Sequence, residues 1–565
     1  MTRHEKFERE PGREPGRELV SVGSDAGPSL FQRLAHVFGL GRRAPLRLLA
    51  VPRDPVPGDK QAGTALVNGA FAWGRHHYRL DELLFTDPDL PPEVAQRLHS
   101  FAWLRDIGAA VTHERGRRSA QALARAWLEA LPAKESGYAW RADLWGRRIL
   151  FWTAYAPYLL STRDGDYRTR MLRLLTRGAR HIEQSADKLP AGLPRIAAWC
   201  GAVAAALVVQ GGAARLGHAE GGLSRAVRTG QSDDGGLISR APHQQLELVE
   251  LFALLRAAYA TTSHGLPDWL QEAQEGAVSA LLSVTLGDAG LSSWQGGNAD
   301  DPHRVVAALE GAGADARPLR QARGWGYQRL QNKDIVLIMD AAPPPDARAL
   351  SGGCASTLAF ELSDGAQRLI VNCGGAGEAQ SALPAELQHL LRSTAAHSTL
   401  ILGNYNSTAI REGTGLGRGV AEVTLERGMR DGFSMVEASH DGYVRRFGLV
   451  HQRQLLLSPD GKNLTGQDVL IQQGKKPKAA TVPFVLRFHL APGVEVISTA
   501  DGRGALLRAR GMKPWQFKCR GGSLSTEESL WIDGAASPRA TTQLVIAGES
   551  PADGMTISWE LKRAG

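Results

Sequence analysis

The chain has 565 residues, of which 43% are hydrophobic and 22% charged, a composition that indicates a globular protein and excludes wholesale disorder. This length is too great for one hydrophobic core, so at least two domains are expected. The 66 Lys and Arg residues exceed the 58 Asp and Glu residues, for a formal net charge of +8. This excess favours a polyanionic partner, such as an acidic polysaccharide, nucleic acid or an anionic membrane surface. An organism that uses arginine freely would give the same excess.

Cysteine usage and apolar patterning exclude several classes of protein. No Cys-x-x-Cys pair occurs among the four cysteines, which are Cys200, Cys354, Cys373 and Cys519. They predict neither a disulfide framework nor a zinc finger. No run of 18 apolar residues is present, so no transmembrane helix is predicted. No phosphate-binding loop or nucleic-acid-binding motif accompanies the positive charge, so nucleic acid is not predicted as a partner.

Residues 1–60 are predicted to form an irregular, basic N-terminal segment. The first 25 residues are charged and lack an apolar core, so no Sec signal peptide is visible. In residues 29–43, "SLFQRLAHVFGLGRR", apolar side chains fall at helical spacing with arginines nearby. This pattern predicts an amphipathic helix that either lies on a membrane surface or packs on the protein's own body.

Residues 61–318 are predicted to form a domain of helical hairpins. Apolar residues recur every three or four positions in runs such as "EVAQRLHSFAWLRDIGAAV" and "HQQLELVELFALLRAAYATT". Short turns with Gly, Pro or Asp separate the runs, so neighbouring helices are predicted to be antiparallel. Aromatic-rich faces and the lack of an exact repeat favour an α/α toroid or bundle over a regular solenoid.

Residues 319–565 change to the two-residue period of β-strands. Runs such as "STLAFELSDGAQRLIVNC" and "AEVTLERGMRDGFSMVEASHDGYV" alternate apolar and polar residues. The segments "SDGA", "SPDGKN" and "MRDGF" between them are typical of hairpin turns. Many closely spaced strands without intervening helices predict a large antiparallel β-sandwich.

Several motifs, together with this order of domains, resemble the heparinase II/III family of polysaccharide lyases. They include "WRADLWGRRILFWTAYAPYLL" (140–160), "FELSDGAQRLIVNCGG" (360–375), "RSTAAHSTL" (392–400) and "SHDGYVRRFGLVHQRQLLL" (439–457). The resemblance implies an N-terminal α/α toroid followed by a β-sandwich. It also implies cleavage of a uronic-acid-containing polysaccharide by β-elimination in the cleft between the two domains, a reaction for which no cofactor is required.

The resemblance leaves the usual catalytic positions without their usual residues. β-Elimination needs a group that neutralises the carboxylate, a base that removes the C5 proton and an acid that protonates the leaving oxygen. Where the family has its toroid Tyr, this chain has Gln244, which cannot transfer a proton, so His243 or Arg240 would have to replace it. Arg195 is the candidate to neutralise the carboxylate. In the sandwich, Gly352 and Ser356 stand at the positions of a family His and Asp.

A cluster in residues 440–453 offers a replacement pair for proton transfer. We predict Tyr443, His440 and His451 as acid and base, because a Tyr near cationic groups can have a lowered pKa. Arg446 and Arg453 are predicted to hold the substrate carboxylate. The alternative is that this cluster is a hairpin corner whose side chains satisfy backbone groups.

Two further predictions concern sugar contacts and a metal. Trp73 and His77 could line a sugar site, because aromatic faces stack on pyranose rings, or they pack the mouth of the toroid. Some family members bind a structural zinc, and the matching positions here are Cys354, Asn372 and His397. Cys and His are good zinc ligands and Asn is a poor one.

Two functions therefore remain open. The first is a lyase acting on an acidic polysaccharide, and the second is a glycan-binding or envelope-associated protein that keeps the lyase fold without its chemistry. The resemblance implies the periplasm or cell envelope, whereas the lack of a visible signal peptide favours the cytoplasm. Peripheral membrane contact through residues 29–43 is possible, and the sequence leaves the oligomeric state open.

Overall fold

The computed structural model describes residues 46–564 apart from 74–75, 133, 351, 376, 378–382, 412–414 and 475–479. Helices make up the first part of this range and antiparallel strands the second. The predicted order of helical domain and β-sandwich is confirmed. The predicted amphipathic helix at 29–43 lies outside the described residues. Within them, no helix combines the length and the apolar content that a membrane crossing requires.

The helices of the first part form two layers. The helices that line the inside are buried around most of their circumference, and the outer ones bury one face. In chain order the helices are α1 Lys60–Val67, α2 Pro92–Ser100, α3 Trp103–Ala110, α4 His113–Ala130, α5 Ala142–Ala154, α6 Ala156–Leu160, α7 Gly165–Ser185, α8 Leu193–Val208, α9 Leu216–Gly230, α10 Pro242–Ala260, α11 Asp268–Ser283 and α12 Pro302–Ala312.

Glycines allow two of the inner helices, α5 and α8, to approach each other closely. A Cβ atom added at Gly146 of α5 would lie 2.0 Å from the carbonyl oxygen of Ala197, and one at Gly201 of α8 would lie 2.4 Å from the Cα atom of Gly146. Such distances are far inside van der Waals contact. The backbones of α5 and α8 therefore meet where any larger residue would push the inner layer apart.

The second part contains two large sheets and two short helices, α13 Ala385–Leu391 and α14 Val444–Phe447. The strands, including a separate hairpin of β1 and β2, are β1 Ala70–Trp73, β2 His76–Arg79, β3 Tyr327–Asn332, β4 Ile335–Asp340, β5 Phe360–Asp364, β6 Gln367–Val371, β7 Leu400–Leu402, β8 Val423–Arg430, β9 Phe433–His440, β10 Leu449–Leu457, β11 Asn463–Gln472, β12 Thr481–Leu490, β13 Glu495–Ser498, β14 Gly504–Arg508, β15 Trp515–Arg520, β16 Ser523–Ile532, β17 Pro538–Pro551 and β18 Gly554–Arg563.

The two sheets enclose one apolar core. One sheet has the strand order β13-β14-β15-β18-β11-β10-β9-β8, and the other runs β16-β17-β12-β6-β5-β4-β3, with β7 also paired to β12. Phe360 and Phe488 of the second sheet pack on Trp559 of the first, with ring centroids 5.5 and 4.9 Å apart. Each buried side chain of this size contributes roughly 1.5–3 kcal/mol through removal of apolar surface from water.

Aromatic side chains also pack where the helices meet the strands. Trp294, which follows the last turn after α11, stacks on Tyr327 of β3 with ring centroids 5.6 Å apart. Trp325 meets the same Tyr327 edge to face at 5.0 Å. All three rings are fully buried, so the junction between the two domains is a packed surface at this point.

The close contact of α5 and α8 gives a direct test of the helical packing. We expect Gly146→Ala to destabilise the fold by roughly 1–3 kcal/mol, because the added methyl group overlaps backbone atoms of α8. The matched control is Gly221→Ala inside α9, where the nearest atom to the new Cβ is Nη1 of Arg225 at 3.6 Å. That change should stabilise the fold by up to about 1 kcal/mol. Urea unfolding followed by circular dichroism measures both, and equal effects would contradict the packing described.

Candidate functional site

The junction where the interdomain cleft was predicted is built around Arg240. This residue has a positive φ of 55° in the turn that precedes α10, and it is 5% exposed. Its guanidinium forms an ion pair with Asp340 at the end of β4. It also donates to the carbonyl oxygens of Trp325 at 2.9 Å and Pro343 at 2.6 Å. Arg240 is thus committed to the sandwich, and binding a substrate carboxylate would require it to leave Asp340.

Polar side chains of the two domains continue from Asp340 in a hydrogen-bonded chain. Ser356 donates its hydroxyl to Oδ2 of Asp340 at 2.7 Å, and Gln295 donates its amide to the Ser356 hydroxyl at 3.1 Å. The Gln295 carbonyl oxygen accepts the backbone N–H of Cys354 at 2.9 Å. All of these side chains are buried. The polar groups of this hydrogen-bonded series satisfy one another. The series does not contain two side chains that could act as an acid and a base.

His243 is the titratable group of the toroid in this region. It is 7% exposed, and its Nδ1 atom has no hydrogen-bond partner among the described residues. Burial lowers its pKa to about 4, although the carboxylate of Glu247 acts in the opposite direction. His243 is therefore a neutral, weak base at physiological pH. Its neighbour Gln244 is half-buried and can donate and accept hydrogen bonds but cannot transfer a proton.

Arg195, the predicted partner of the substrate carboxylate, serves the backbone of its own domain. Its Nε and Nη2 atoms donate to the carbonyl oxygen of Leu189 at 3.1 and 2.5 Å. That carbonyl lies just before α8, so the guanidinium ties this helix to the preceding turn. The carboxylate-binding role predicted for Arg195 stays a prediction, and these contacts favour a structural role.

The predicted proton-transfer cluster lies in the core of the sandwich. Tyr443 is 1% exposed and donates its hydroxyl to the carbonyl oxygen of Leu400 at 2.8 Å. Burial raises the pKa of Tyr443, which is opposite to the shift that a catalytic base needs. His440 is 2% exposed, and its Nδ1 atom accepts the backbone N–H of Gly442 at 3.1 Å. A polymeric substrate has no route to either side chain.

His451 and Arg453 complete a buried network around Asp468. His451 contacts His440 at 3.3 Å on one side and Asp468 at 2.7 Å on the other. Arg453 donates Nε to the same carboxylate at 2.8 Å, and Trp559 donates to its other oxygen at 2.9 Å. Burial alone would raise the pKa of Asp468, but the charge of Arg453 and the hydrogen bond from His451 lower it to about 2.

Arg453 joins the two sheets instead of facing a ligand. Besides Asp468, it donates Nη1 to the carbonyl oxygens of Leu358 at 2.7 Å and Ser398 at 2.8 Å, which belong to segments of the opposite sheet. The residue is 0% exposed. The catalytic and binding roles predicted for this cluster remain predictions, and the geometry favours the alternative that it holds the sandwich together.

The remaining predicted binding residues lie at the surface. Arg446 is exposed and stacks its guanidinium on Tyr405 at 3.6 Å from the ring centroid. Trp73 is half-buried in the β1–β2 hairpin, with the guanidinium of Arg97 at 4.2 Å over its ring. His77 is exposed on β2. Trp73 and His77 therefore both belong to the β1–β2 hairpin of the helical part.

The residues at the predicted zinc positions do not fit a zinc site. Asn372 donates its amide to Glu361 at 3.0 Å and accepts from the backbone N–H of Ser398 at 2.9 Å. Burial raises the pKa of the Cys354 thiol to about 12 and lowers the pKa of His397 to about 4. Within the described part of the chain, no three His, Cys, Asp or Glu side chains are grouped so that they could hold a metal ion.

Sequence reasoning missed Gln295 and Asp340, the two residues that organise the cleft. Asp340 ends the fully buried strand β4, "IVLIMD", and a carboxylate at the end of such a strand needs a buried cation. Gln295 has a positive φ of 50° and precedes two glycines. An Asp that terminates an apolar strand was the available signal, but its partner lies 100 residues earlier in the chain.

Comparison with known proteins agrees with the fold. Residues 314–560 match the family described as heparinase II/III-like, C-terminal. A crystal structure of heparinase III superposes with a TM-score of 0.67, at 14% identity, covering 94% of this chain and 89% of that one. A heparan sulfate lyase from Pedobacter heparinus gives a TM-score of 0.58 at 15% identity, covering 89% and 83%.

One curated protein is similar over nearly the full length. The FtsZ-localized protein C of Caulobacter vibrioides is 29% identical over 549 residues, which cover 94% of this chain and 92% of that protein. The likeness therefore includes both the helical domain and the β-sandwich.

The ion pair across the cleft can be tested by a double-mutant cycle. Arg240→Met and Asp340→Leu should each destabilise the fold by about 3–5 kcal/mol, because each leaves a lone buried charge. The double variant should lose clearly less than the sum of the two, since it buries no unpaired charge. Urea unfolding provides all three free energies. Strict additivity would show that the two side chains do not depend on each other.

Acid sensitivity follows from the buried histidines. Burial lowers the pKa of His397 from 6.5 to about 4, so between these values the unfolded chain holds a proton that the folded chain does not. The free energy of unfolding therefore falls as pH falls from 6.5 to 4, by roughly 3 kcal/mol for this residue. His397→Gln should remove about that much of the pH dependence, measured by urea unfolding across this window.

The control for this experiment is His264→Gln at an exposed position, which tests the effect of the substitution itself. Other buried histidines shift in the same direction and leave part of the pH dependence in place; they are His99, His243, His440, His451 and His489. Parallel stability curves for the wild type and His397→Gln would contradict this assignment.

Proposed function

We propose that this chain is a member of the heparinase II/III family that lacks lyase activity and localises with FtsZ. The observation that carries this proposal is the Arg240–Asp340 ion pair. Because Arg240 is bound to a carboxylate of the protein itself, it is not available to a substrate carboxylate. The toroid and sandwich then serve as a folded scaffold for binding a protein partner. This corresponds to the second of the two functions that the sequence left open, with a protein in place of a glycan.

The chemistry of β-elimination supports the lack of activity. The reaction needs a carboxylate neutraliser, a base and an acid that converge on one sugar. Arg240 is paired with Asp340, and Gln244 and Gln295 have side chains without a titratable proton. His243 offers one weak base, and the carboxylate that acts on it, Glu247, is held in an ion pair with Arg147.

The full-length similarity supports the proposed partner. The relative from Caulobacter vibrioides is named for its localisation with FtsZ and shares 29% identity over both domains. The basic balance of the present chain, with a formal charge of +8, suits an acidic surface on a protein as well as it suits an acidic polysaccharide.

Cysteine usage supports a reducing compartment, which favours the cytoplasm over the periplasm. Cys200, Cys354, Cys373 and Cys519 are all free and buried. Proteins that function in oxidising compartments commonly pair their cysteines, whereas cytoplasmic thiols stay reduced. Membrane contact through residues 29–43 remains a prediction that fits this location equally well.

The competing function is a lyase that cleaves a uronic-acid-containing polysaccharide. Its support is the family membership and the unpartnered Nδ1 atom of His243, which could act as a base if a substrate changed its surroundings. This function would also need an acidic side chain that moves next to the leaving oxygen when a substrate binds.

Two measurements on the purified chain separate these functions. We expect no unsaturated uronate above the blank with heparan sulfate, hyaluronan, alginate or bacterial exopolysaccharides, while heparinase III as positive control cleaves its substrate. We also expect the chain to sediment with FtsZ polymers. Turnover that is abolished by His243→Ala in a folded variant would establish the lyase, and failure to sediment with FtsZ would reject the proposed partner.

A further inference from the structure

A basic and apolar surface lies on the sandwich. We call it the rim patch and define it as Leu390, Tyr405, Arg418, Arg445 and Arg446. Leu390 is 61% exposed and Tyr405 is 46% exposed, which is unusual for large apolar side chains in this protein. The three arginines are exposed as well. Exposed apolar side chains that are grouped with cations are typical of interaction sites.

Hydrogen bonds hold the members of the rim patch in one place. The carbonyl oxygen of Leu390 accepts from the backbone N–H of Ser393 at 3.0 Å. The next residue, Thr394, donates its N–H to the side chain of Asn406 at 2.9 Å, and Asn406 follows Tyr405. Leu390, at the end of α13, is thereby fixed to the turn that carries Tyr405.

The arginines belong to α14 and to the loop after Tyr405. Arg446 stacks on the Tyr405 ring at 3.6 Å, and Arg445 precedes it in α14. The carbonyl oxygen of Arg418 accepts the N–H of Ala409 at 3.0 Å, so the loop folds back beside the turn. Among the described residues, no carboxylate forms an ion pair with the arginines of the rim patch.

The carboxylate that precedes α14 is already engaged. Asp441 precedes α14, and its Oδ1 atom accepts the backbone N–H groups of Ala421 at 2.9 Å and Glu422 at 3.1 Å. The three guanidinium groups are therefore available to an external anion. Arginine is suited to this role because its planar fork binds carboxylates bidentately.

We propose that the rim patch docks an acidic segment of a protein partner, with the arginines binding its carboxylates and an apolar residue packing on Leu390 and Tyr405. This inference rests on the proposed function and adds the surface and the chemistry of the contact. The proposal assigns no ligand to the junction around Arg240.

The composition of the rim patch favours a peptide over a polysaccharide. One face of the Tyr405 ring is covered by the guanidinium of Arg446, so that face cannot stack on a sugar. Leu390 offers an aliphatic surface, which a hydrophobic peptide side chain covers and a hydroxyl-rich chain does not. An acidic peptide with an apolar residue matches both parts of the surface.

The test uses full-length variants with a matched control. The patch variant is Arg445→Glu with Arg446→Glu. The control is Arg173→Glu with Arg180→Glu on the exposed face of α7, which changes the net charge by the same amount. We expect the patch variant to bind FtsZ polymers roughly tenfold or more weakly, and the control to bind like the wild type. Tyr405→Ala should weaken binding with no change of charge, and thermal unfolding checks that all variants are folded.

A second probe separates the failure of this surface from the failure of the proposed function. It is a fluorescent synthetic peptide of Asp and Glu with a central Phe, compared with the same peptide carrying Asn and Gln. If the wild type does not sediment with FtsZ but binds the acidic peptide through the rim patch, the FtsZ proposal fails and the surface stands. If it sediments with FtsZ and the patch variant behaves like the control, the surface is overturned.

Two other ligands give the remaining outcomes. Heparin oligosaccharides and phosphatidylglycerol vesicles present anions without a peptide. Binding of either that is lost in the patch variant, with no binding of the acidic peptide, would overturn the proposal in favour of a glycan or a membrane surface. We expect the peptide to bind and its affinity to fall with added salt, because exposed charge pairs are screened.

Discussion

The ion pair between Arg240 and Asp340 is the contact on which the cleft of this protein depends. Arg240 comes from the toroid in a left-handed backbone conformation, which a residue other than glycine adopts at a cost of about 1–3 kcal/mol when its surroundings enforce it. Asp340 comes from a strand with no exposed residue. Separating the two would leave two buried charges unpaired, so the toroid wall of the cleft is fixed to the sandwich.

The same physical rule accounts for the contacts of the cluster around Asp468. A carboxylate at 0% exposure must be paired and hydrogen-bonded, and here Arg453, His451 and Trp559 supply those contacts. A catalytic group instead keeps at least one atom aimed at the substrate. Titratable residues that are adjacent in sequence therefore indicate a site only where the fold leaves them accessible.

The sequence supported the fold well and the site poorly, for identifiable reasons. Apolar residues recur every 3.6 residues in helices and every 2.0 residues in strands. Because this spacing is a local property of the sequence, the order of helices and strands was predictable. Strand alternation also placed His451 and Arg453 on the same face as Leu455, a pattern that indicates the core. The partners Asp340 and Asp468 were not predictable, because ion pairs across 100 residues or between neighbouring strands depend on register that the sequence does not state.

The junction around Asp340 also shows how the buried polar groups of a lyase fold can be satisfied without a substrate. A proton-transfer site holds polar groups that await a substrate, and each such group weakens the folded state until it is bound. In this protein Gln295, Ser356 and Asp340 satisfy one another, so these side chains do not carry that cost. A domain junction fixed in this way holds the surface of the sandwich, including the rim patch, in a single conformation. A surface that is already ordered loses little entropy when a partner binds, which is the advantage that the proposed scaffold function would draw from this junction.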